Sequence, residues 1–274
     1  MPPQELTSHE FKKFQEFIYT ASGIRIPDTK RTLLSNRIRR RLKAGDFDDF
    51  ASYYQHLTSG TGRDELEGFL DAVTTNETFF FRTEKHFEWF RTDFITDVAQ
   101  RARRGERPRT LRIWSAACST GEEPYSLAIC LAENQLRLRG WTLEIVGTDI
   151  SEQVLQTARE ASYGERSLEK VSDTQRRRYL RHSKEDQRWQ VRPAVRELVH
   201  FQSHNLMKPL NLPPFDCVFI RNVLIYFDRE SKRKVVENIV KSMADGAYLV
   251  VGPSEGIFDM LGMLQKRSPS VYQK

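Results

Sequence analysis

The sequence predicts an α/β domain built on a doubly wound, mostly parallel sheet with a small inserted antiparallel β-subdomain, preceded by an all-helical N-terminal domain. Three observations predict it. After residue 109, short apolar runs alternate with amphipathic helical stretches, the pattern of strands joined by crossover helices. Before residue 110 apolar residues recur only at helical spacing. Between the second and third strands lie residues 151–198, more chain than one crossover helix needs. The domain limits follow as 1–75 for the helical domain, 76–108 for a linker and connecting helix, and 109–274 for the α/β domain, with the insertion at about 160–198.

Each element has a local reason. Thr7 and Glu10 form a T-x-x-E capping box; Phe11, Phe14, Phe17 and Ile18 follow at helical spacing, and Gly23 ends the helix. A second helix over 30–43 carries the stripe Leu33, Leu34, Ile38 and Leu42, and two more are expected over 50–57 and 65–73. Thr83 is placed to cap a long helix through Phe87, Phe90, Phe94 and Val98, stopped by Gly105 and Pro108. Strands are expected at 110–118, 143–149, 199–205, 215–222 and 247–252, with helices at 123–138 and 229–243. Within the insertion, 181–198 reads as a hairpin.

Composition narrows the classes. With 39% hydrophobic and 29% charged residues and no run near the ~18 apolar residues of a membrane span, the chain reads as soluble and globular. The start, MPPQELTSHEFKKF, has no apolar h-region and so predicts no secretion. Cys118, Cys130 and Cys217 are odd in number and lack metal-type spacing, so free thiols in a reducing cytoplasm are expected. The six histidines show no ligand spacing, and no metal is expected. The first 75 residues balance 11 basic against 11 acidic residues, so the net +6 belongs to the rest of the chain. It permits anionic partners without naming one.

Sheets of this kind bind ligands beyond the carboxyl ends of their strands. The first such loop, SAACSTGEEPYS (115–126), is rich in small residues but is not G-x-G-x-x-G. Glu122 and Glu123 stand where a pyrophosphate would enter. They suit a cationic or zwitterionic ligand, though first-turn acids also stabilise a helix with no ligand at all. Asp149 ends the second strand, where an acid accepts hydrogen bonds from a ribose diol. A nucleoside without phosphates, bearing a sulfonium and an ammonium, fits this set: S-adenosyl-L-methionine.

Further stretches carry a resemblance. TTNETFFFR (74–82), IWSAACSTGEEPYSLA (113–128), GTDIS (147–151), YGERSLE (163–169), HNLMKP (204–209), CVFIRNVLIYFD (217–228) and GPSEGI (252–257) recur in family order over nearly the whole chain. By them the chain resembles the CheR-type chemotaxis receptor glutamate O-methyltransferases. The resemblance implies a Rossmann-like, S-adenosylmethionine-dependent methyltransferase domain. It implies methyl transfer to receptor glutamates in the cytoplasm, with S-adenosyl-L-homocysteine as product. Carried over by position, it places Asn76, Thr78 and Arg82 on the cofactor, with Arg82 near its carboxylate. It places Glu123 at the cofactor's amino group, Asp149 at the ribose and Asn205 and Leu206 at the adenine. Arg221 and Asn222, also placed on the cofactor, end the fourth strand, and Tyr226 sits just beyond, facing the methyl group. Arg82 and Tyr226 are the expected orienting residues for the attacking carboxylate. The three rings Phe79–Phe81 fit neither a strand nor a helix surface pattern, and are expected to wall the cleft and fill the domain junction.

The second helix has seven basic residues and no acid over 30–43. A solvated face or nucleic acid would account for it; the resemblance implies the glutamate-rich helices of a receptor, with Arg37, Arg40 and Arg41 set opposite the apolar stripe. A nucleic-acid methyltransferase is the alternative, suggested by NLPPFD (211–216). Leu212 interrupts that motif and it precedes the fourth strand, so nucleic acid is not expected. Some members of the family dock a receptor tail peptide on the β-subdomain through a glycine-bearing loop. Here RHSKEDQRWQ (181–190) has no glycine, so tail docking is not expected. A monomer is expected.

Overall fold

The computed structural model describes residues 5–59, 62–74 and 76–274; residues 1–4 of the chain start and Thr75 of the 74–82 stretch lie outside it. The N-terminal part packs four helices, α1 (Ser8–Ser22), α2 (Arg31–Ala44), α3 (Phe50–Thr58) and α4 (Arg63–Val73), around one core. The capping box is formed: Thr7 Oγ1 accepts the Glu10 N–H, and the Glu10 carboxylate accepts the Thr7 N–H at 2.8 Å. Gly23 ends α1 with φ 76°. A Cβ there would also lie 2.6 Å from Met207 Sδ, so glycine serves both the left-handed cap and the close approach of the next domain.

Helix α2 departs from its predicted faces. Leu34, Ile38 and Leu42 are buried, but Leu33 is 43% exposed. Leu33 lies about 100° around the helix from Leu34, on the strip that carries Arg37. Nor do the three arginines share one solvent face. Arg40 is exposed. Arg41 turns inward and pairs with Glu65 through two bonds of 2.9 and 2.7 Å, because α4 packs alongside and supplies the carboxylate. Arg37 is half-buried and donates to the Val73 carbonyl at the end of α4.

A connecting helix follows in three pieces: α5 (Glu84–Trp89), a π-helical turn (Phe90–Phe94) and α6 (Ile95–Arg103). Thr83 does not cap it; its φ is 64° and its side chain makes no capping bond. On this turn the Phe90 and Phe94 rings stack with centroids 5.0 Å apart.

The α/β domain comprises β1 (Thr110–Ala116), α7 (Glu122–Glu133), β2 (Thr142–Asp149), α8 (Glu152–Glu160), the insertion, β6 (Val199–Ser203), β7 (Phe215–Ile220), α11 (Arg229–Lys241), β8 (Met243–Val251), β9 (Gln265–Ser268) and β10 (Val271–Gln273). The insertion holds β3 (Ser162–Tyr163), α9 (Asp173–Tyr179), β4 (Leu180–His182), β5 (Trp189–Val191) and α10 (Pro193–Arg196). The main sheet runs β6-β2-β1-β7-β8-β10-β9; its first five strands are parallel, and β10 pairs antiparallel with both β8 and β9. The chain moves outward from β1 to β6 and then returns to β7 on the other side of β1. That reversal opens a crevice at the carboxyl ends of β1 and β7. The insertion is an antiparallel sheet, β3-β5-β4. Its hairpin spans β4 and β5, shorter than the expected 181–198 because α10 occupies 193–196. In the hairpin loop Gln187 takes the left-handed conformation (φ 55°) that a glycine would otherwise supply.

Helix α7 stops at Glu133, five residues before the expected end. Asn134 turns its amide back onto the Cys130 carbonyl (3.0 Å), and Leu136 is left 87% exposed. The edge strand β9, its neighbour β10 and the limits of helix α8 were not anticipated: β9 is exposed along most of its length and has no apolar alternation to show it. The three cysteines are buried and unpaired.

The two parts join closely. Ile24 bridges Phe227, the Arg25 N–H donates to the Tyr226 carbonyl (2.8 Å), and Asn205 Nδ2 donates to the Ala21 carbonyl (2.8 Å).

Candidate active site

The loop after β1 shapes the site. Ala117 (φ 59°), Ser119 (φ 51°) and Gly121 (φ 92°) alternate into the left-handed region, a conformation costly for residues with a Cβ and concentrated at functional sites. The loop is held by β2: the Cys118 N–H donates to the Thr148 carbonyl and the Ser119 N–H to Asp149 Oδ2, each at 2.8 Å. The other oxygen of Asp149 accepts the Ser151 N–H at 3.1 Å. Burial pushes the Asp149 carboxyl up, against the pull of the Ser151, Ser119 and Ile150 N–Hs.

The linker closes one side. Ser119 Oγ donates to the Asn76 carbonyl (2.9 Å), and the Phe80 and Phe81 N–Hs donate to the Ser167 carbonyl and Ser126 Oγ, each at 3.0 Å. Phe81 is left-handed (φ 56°), so the three consecutive rings diverge. Phe79 lies beneath the Arg82 guanidinium at 5.8 Å, Phe80 meets Tyr163 edge-on, and Phe81 meets Phe87 edge-on. Phe80 and Phe81 are interior packing, while Arg82 donates to the Glu77 carbonyl at 2.7 Å.

The adjacent glutamates at the start of α7 part company. Glu123 accepts from Ser115 Oγ and pairs with Arg221, both at 2.7 Å, and lines the cleft. Glu122 turns the other way into a dry polar cluster with Thr120 (2.6 Å) and Ser167 (3.1 Å) and is no part of the cleft lining. Burial pushes its carboxyl up. The expected pair of ligand-facing acids is therefore one acid, and that one is already compensated by Arg221. Arg221 also donates to the Arg82 carbonyl and lies over the Phe87 ring at 5.5 Å; its Nε–H is buried without a partner.

One cleft, at the sheet's switch point and beneath the N-terminal domain, is lined by all ten residues that the resemblance carried over to the site: Asn76, Thr78, Arg82, Glu123, Asp149, Asn205, Leu206, Arg221, Asn222 and Tyr226. They are not equally free. The Asn205 side chain is engaged by the Ala21 carbonyl and by the Met207 N–H (3.0 Å), so it holds the domain junction as well as the cleft. Tyr226 ends a 3-10 turn (Leu224–Tyr226) and is half-buried.

Sequence reasoning missed other lining residues. Leu33 and Arg37 come from α2, Ile24 and Arg25 from the chain after α1, and His204, whose Nε2 is buried without a partner, from beyond β6. Ser119 lay within a loop already marked by its small residues. Nothing in the sequence marked Arg37 as facing this cleft. Among the described residues, no group of three or more His, Cys, Asp or Glu side chains is arranged to hold a metal ion, and no helix is long and apolar enough to cross a membrane.

Two family models match the chain: the CheR methyltransferase all-alpha domain over residues 9–74, and the CheR methyltransferase SAM binding domain over residues 76–272. Curated relatives match over nearly their whole length. The chemotaxis protein methyltransferase of Salmonella typhimurium is 35% identical over 97% of this chain and 90% of its own. That of Escherichia coli is 34% identical over 97% and 91%, and that of Borreliella burgdorferi 32% identical over 98% and 95%.

Proposed function

The chain belongs to the CheR methyltransferase family, and from that premise we propose that it transfers the methyl group of S-adenosyl-L-methionine to glutamate side chains of chemoreceptors. The products are glutamyl methyl esters and S-adenosyl-L-homocysteine. S-adenosylmethionine is the ligand of the matched domain, and the residues present fit it. Asp149 keeps acceptor capacity beside its two backbone bonds. Glu123 can share its charge between Arg221 and an ammonium. Arg221 Nε and His204 Nε2 are buried polar atoms with no protein partner, a state that costs free energy unless a ligand or water relieves it.

The observation that carries the reading is a single cleft shared by two chemically distinct sets of residues. Buried Asp149 ends strand β2 and half-buried Glu123 lies in the first turn of α7, while half-buried Arg37 and exposed Leu33 come from the basic helix α2. The first set suits the cofactor and the second an incoming acidic helix. The cofactor, when bound, supplies an electrophilic methyl on sulfonium sulfur. The substrate carboxylate is already ionised at neutral pH, so no side chain has to remove a proton. What the chain contributes is alignment, worth roughly 7–11 kcal/mol when complete, and exclusion of water. Charge is lost in the transfer, so a dry cleft favours it, whereas a tight ion pair on the attacking oxygen slows it. Tyr226, a neutral donor, suits orientation of that oxygen. Arg37 lines the same cleft as Tyr226 and, with Arg82, draws the acidic helix to the mouth. Arg40, exposed on α2, extends this basic surface; Arg41, committed to Glu65, does not.

The nucleic-acid alternative loses its motif, since none of residues 211–216 lines the cleft. Action in the cytoplasm, as a monomer and without tail-peptide docking completes the proposal. The test is transfer of labelled methyl from S-adenosylmethionine to a purified receptor cytoplasmic fragment and, in parallel, to DNA. Base-labile label on the receptor, abolished by Glu→Gln at the acceptor positions, supports the proposal; label on DNA alone overturns it. Calorimetry with receptor tail peptides should detect no micromolar binding.

A further inference from the structure

The stretch GPSEGI follows β8, and the reading above gives it no role. Its Glu255 is 0% exposed, which is rare for a carboxylate unless it is paired. Its carboxylate is paired with backbone. One oxygen accepts the Asn222 N–H and the other the Leu224 N–H at 2.7 Å. These donors belong to the segment that joins β7 to the turn ending in Tyr226. The segment needs such an anchor. Asn222 is left-handed (φ 60°), and the turn beginning at Leu224 has no side-chain cap of its own. Two neighbours are shaped around the contact. Lys232 Nζ holds the Glu255 carbonyl at 2.7 Å. Gly252 is the residue a Cβ would ruin, because that atom would collide with Glu255 Oε1. Burial pushes the Glu255 carboxyl up, and the N–Hs of Asn222, Leu224 and Val223, then Lys232, draw it down.

We propose that Glu255 is a positioning residue for methyl transfer: it clamps the backbone at 222–224 and thereby aims Asn222 and Tyr226 into the cleft. This rests on the role proposed above for Tyr226. The far end of the same segment is tied to the N-terminal domain by the Arg25 bond to the Tyr226 carbonyl. Residues 222–226 are thus held from both sides of the cleft. Without the two acceptor oxygens, Asn222 is free to leave its left-handed well, and that rotation displaces everything after it.

The test compares wild type, Glu255→Gln, Tyr226→Phe and the double variant in single-turnover methylation of receptor. Each rate is normalised to the fraction of protein that binds cofactor. Glutamine keeps one acceptor and turns an amide N–H towards the other donor. The expected result is a slowing of at least about fivefold in Glu255→Gln, the effect of one hydrogen bond of about 1 kcal/mol. The double variant should then be no slower than the slower single, because both act through one group. Hydrogen exchange at 220–227 should quicken about tenfold or more in Glu255→Gln while the other strands keep their protection. Gly252→Ala, whose methyl displaces the carboxylate, should reproduce both effects if Glu255→Gln fails to fold. Multiplicative rate effects, a wild-type normalised rate, unchanged exchange at 220–227, or faster exchange throughout the protein each overturn the proposal. Failure of the wild type to methylate any receptor overturns the proposed substrate instead, and the exchange measurement still decides the clamp.

Discussion

Replacing Glu123 with glutamine tests the cleft where its charges are most tightly coupled. The Glu123 and Arg221 side chains are 13% and 2% exposed and meet at 2.7 Å. Glutamine keeps the shape and can still accept from Ser115 Oγ, which now lies 2.7 Å from Oε1. What it removes is the partner of a buried guanidinium whose Nε–H is already unpaired. Breaking a buried pair from one side costs about 3–5 kcal/mol. The retained Ser115 bond puts this case at the lower end, about 3 kcal/mol, or a fall of roughly 6–12 °C in Tm for a chain of this size. Cofactor affinity should fall as well, because a charge-assisted bond to an ammonium contributes about 1.5–3 kcal/mol, roughly 10- to 150-fold in Kd. Thermal denaturation and calorimetry with S-adenosylmethionine measure the two losses separately. The double variant Glu123→Gln/Arg221→Met separates their causes. It should regain much of the stability, because no buried charge is stranded, and none of the affinity. A single variant as stable as wild type with an unchanged Kd would refute the coupling, and a double variant that recovered affinity would refute the ammonium role.

Tyr226→Phe keeps the ring and should slow single-turnover methylation about 2- to 150-fold, the worth of one orienting hydrogen bond, with cofactor affinity nearly intact; wild-type rates would make Tyr226 a wall residue. Arg40→Glu should raise the KM for receptor without altering stability, whereas Arg41→Glu should destabilise the helical domain by setting two carboxylates against each other at Glu65; denaturation melts and receptor titrations distinguish them, and equal effects in both assays would refute the division. His86 is buried beside Ser270 (2.9 Å), and burial, then Arg221, lower its pKa from 6.5 to about 4. The unfolded chain therefore takes up this proton first on acidification. Stability from this site is fully present above pH 6.5 and falls towards pH 4, by up to roughly 3 kcal/mol. Chemical denaturation of wild type and His86→Phe across that window should show a shallower acid slope in the variant, and parallel slopes would exclude His86 as the source.

Much of the architecture was legible because its signals are local. A capping box, a glycine at a helix end and an apolar strand run act within a few residues, so Thr7–Glu10, Gly23, β1, β2 and β7 could be read directly. The edge strand β9 gave no such signal, since a short strand lying mostly in solvent needs no apolar face, and β10, though buried at Val271 and Tyr272, is only three residues long. The early end of α7 depended on one asparagine turning back onto its own helix. The acidic strand end at Asp149 and the small-residue loop before α7 were chemically suggestive in sequence by residue type and place alone; that the Ser119 N–H and Asp149 hold each other across 30 residues appears only in the fold.

Adjacent or equivalent residues, by contrast, were told apart only by distant neighbours. Glu122 and Glu123 look alike in sequence. Glu123 faces the cleft in company with Arg221, 98 residues further on, while Glu122 is drawn to Ser167, 45 residues on and on the other side of the helix. Arg40 and Arg41 are likewise consecutive, and Glu65 on α4 takes one and leaves the other in solvent. Residue type and spacing determined which side chains could serve a zwitterionic nucleoside and an acidic partner. Which of them face the cleft was decided by neighbouring elements, α4 packed against α2 and the end of β7 against the start of α7. The field and the dryness felt by a charge are set by whatever lies within a few ångströms, and in this chain those neighbours come from other elements.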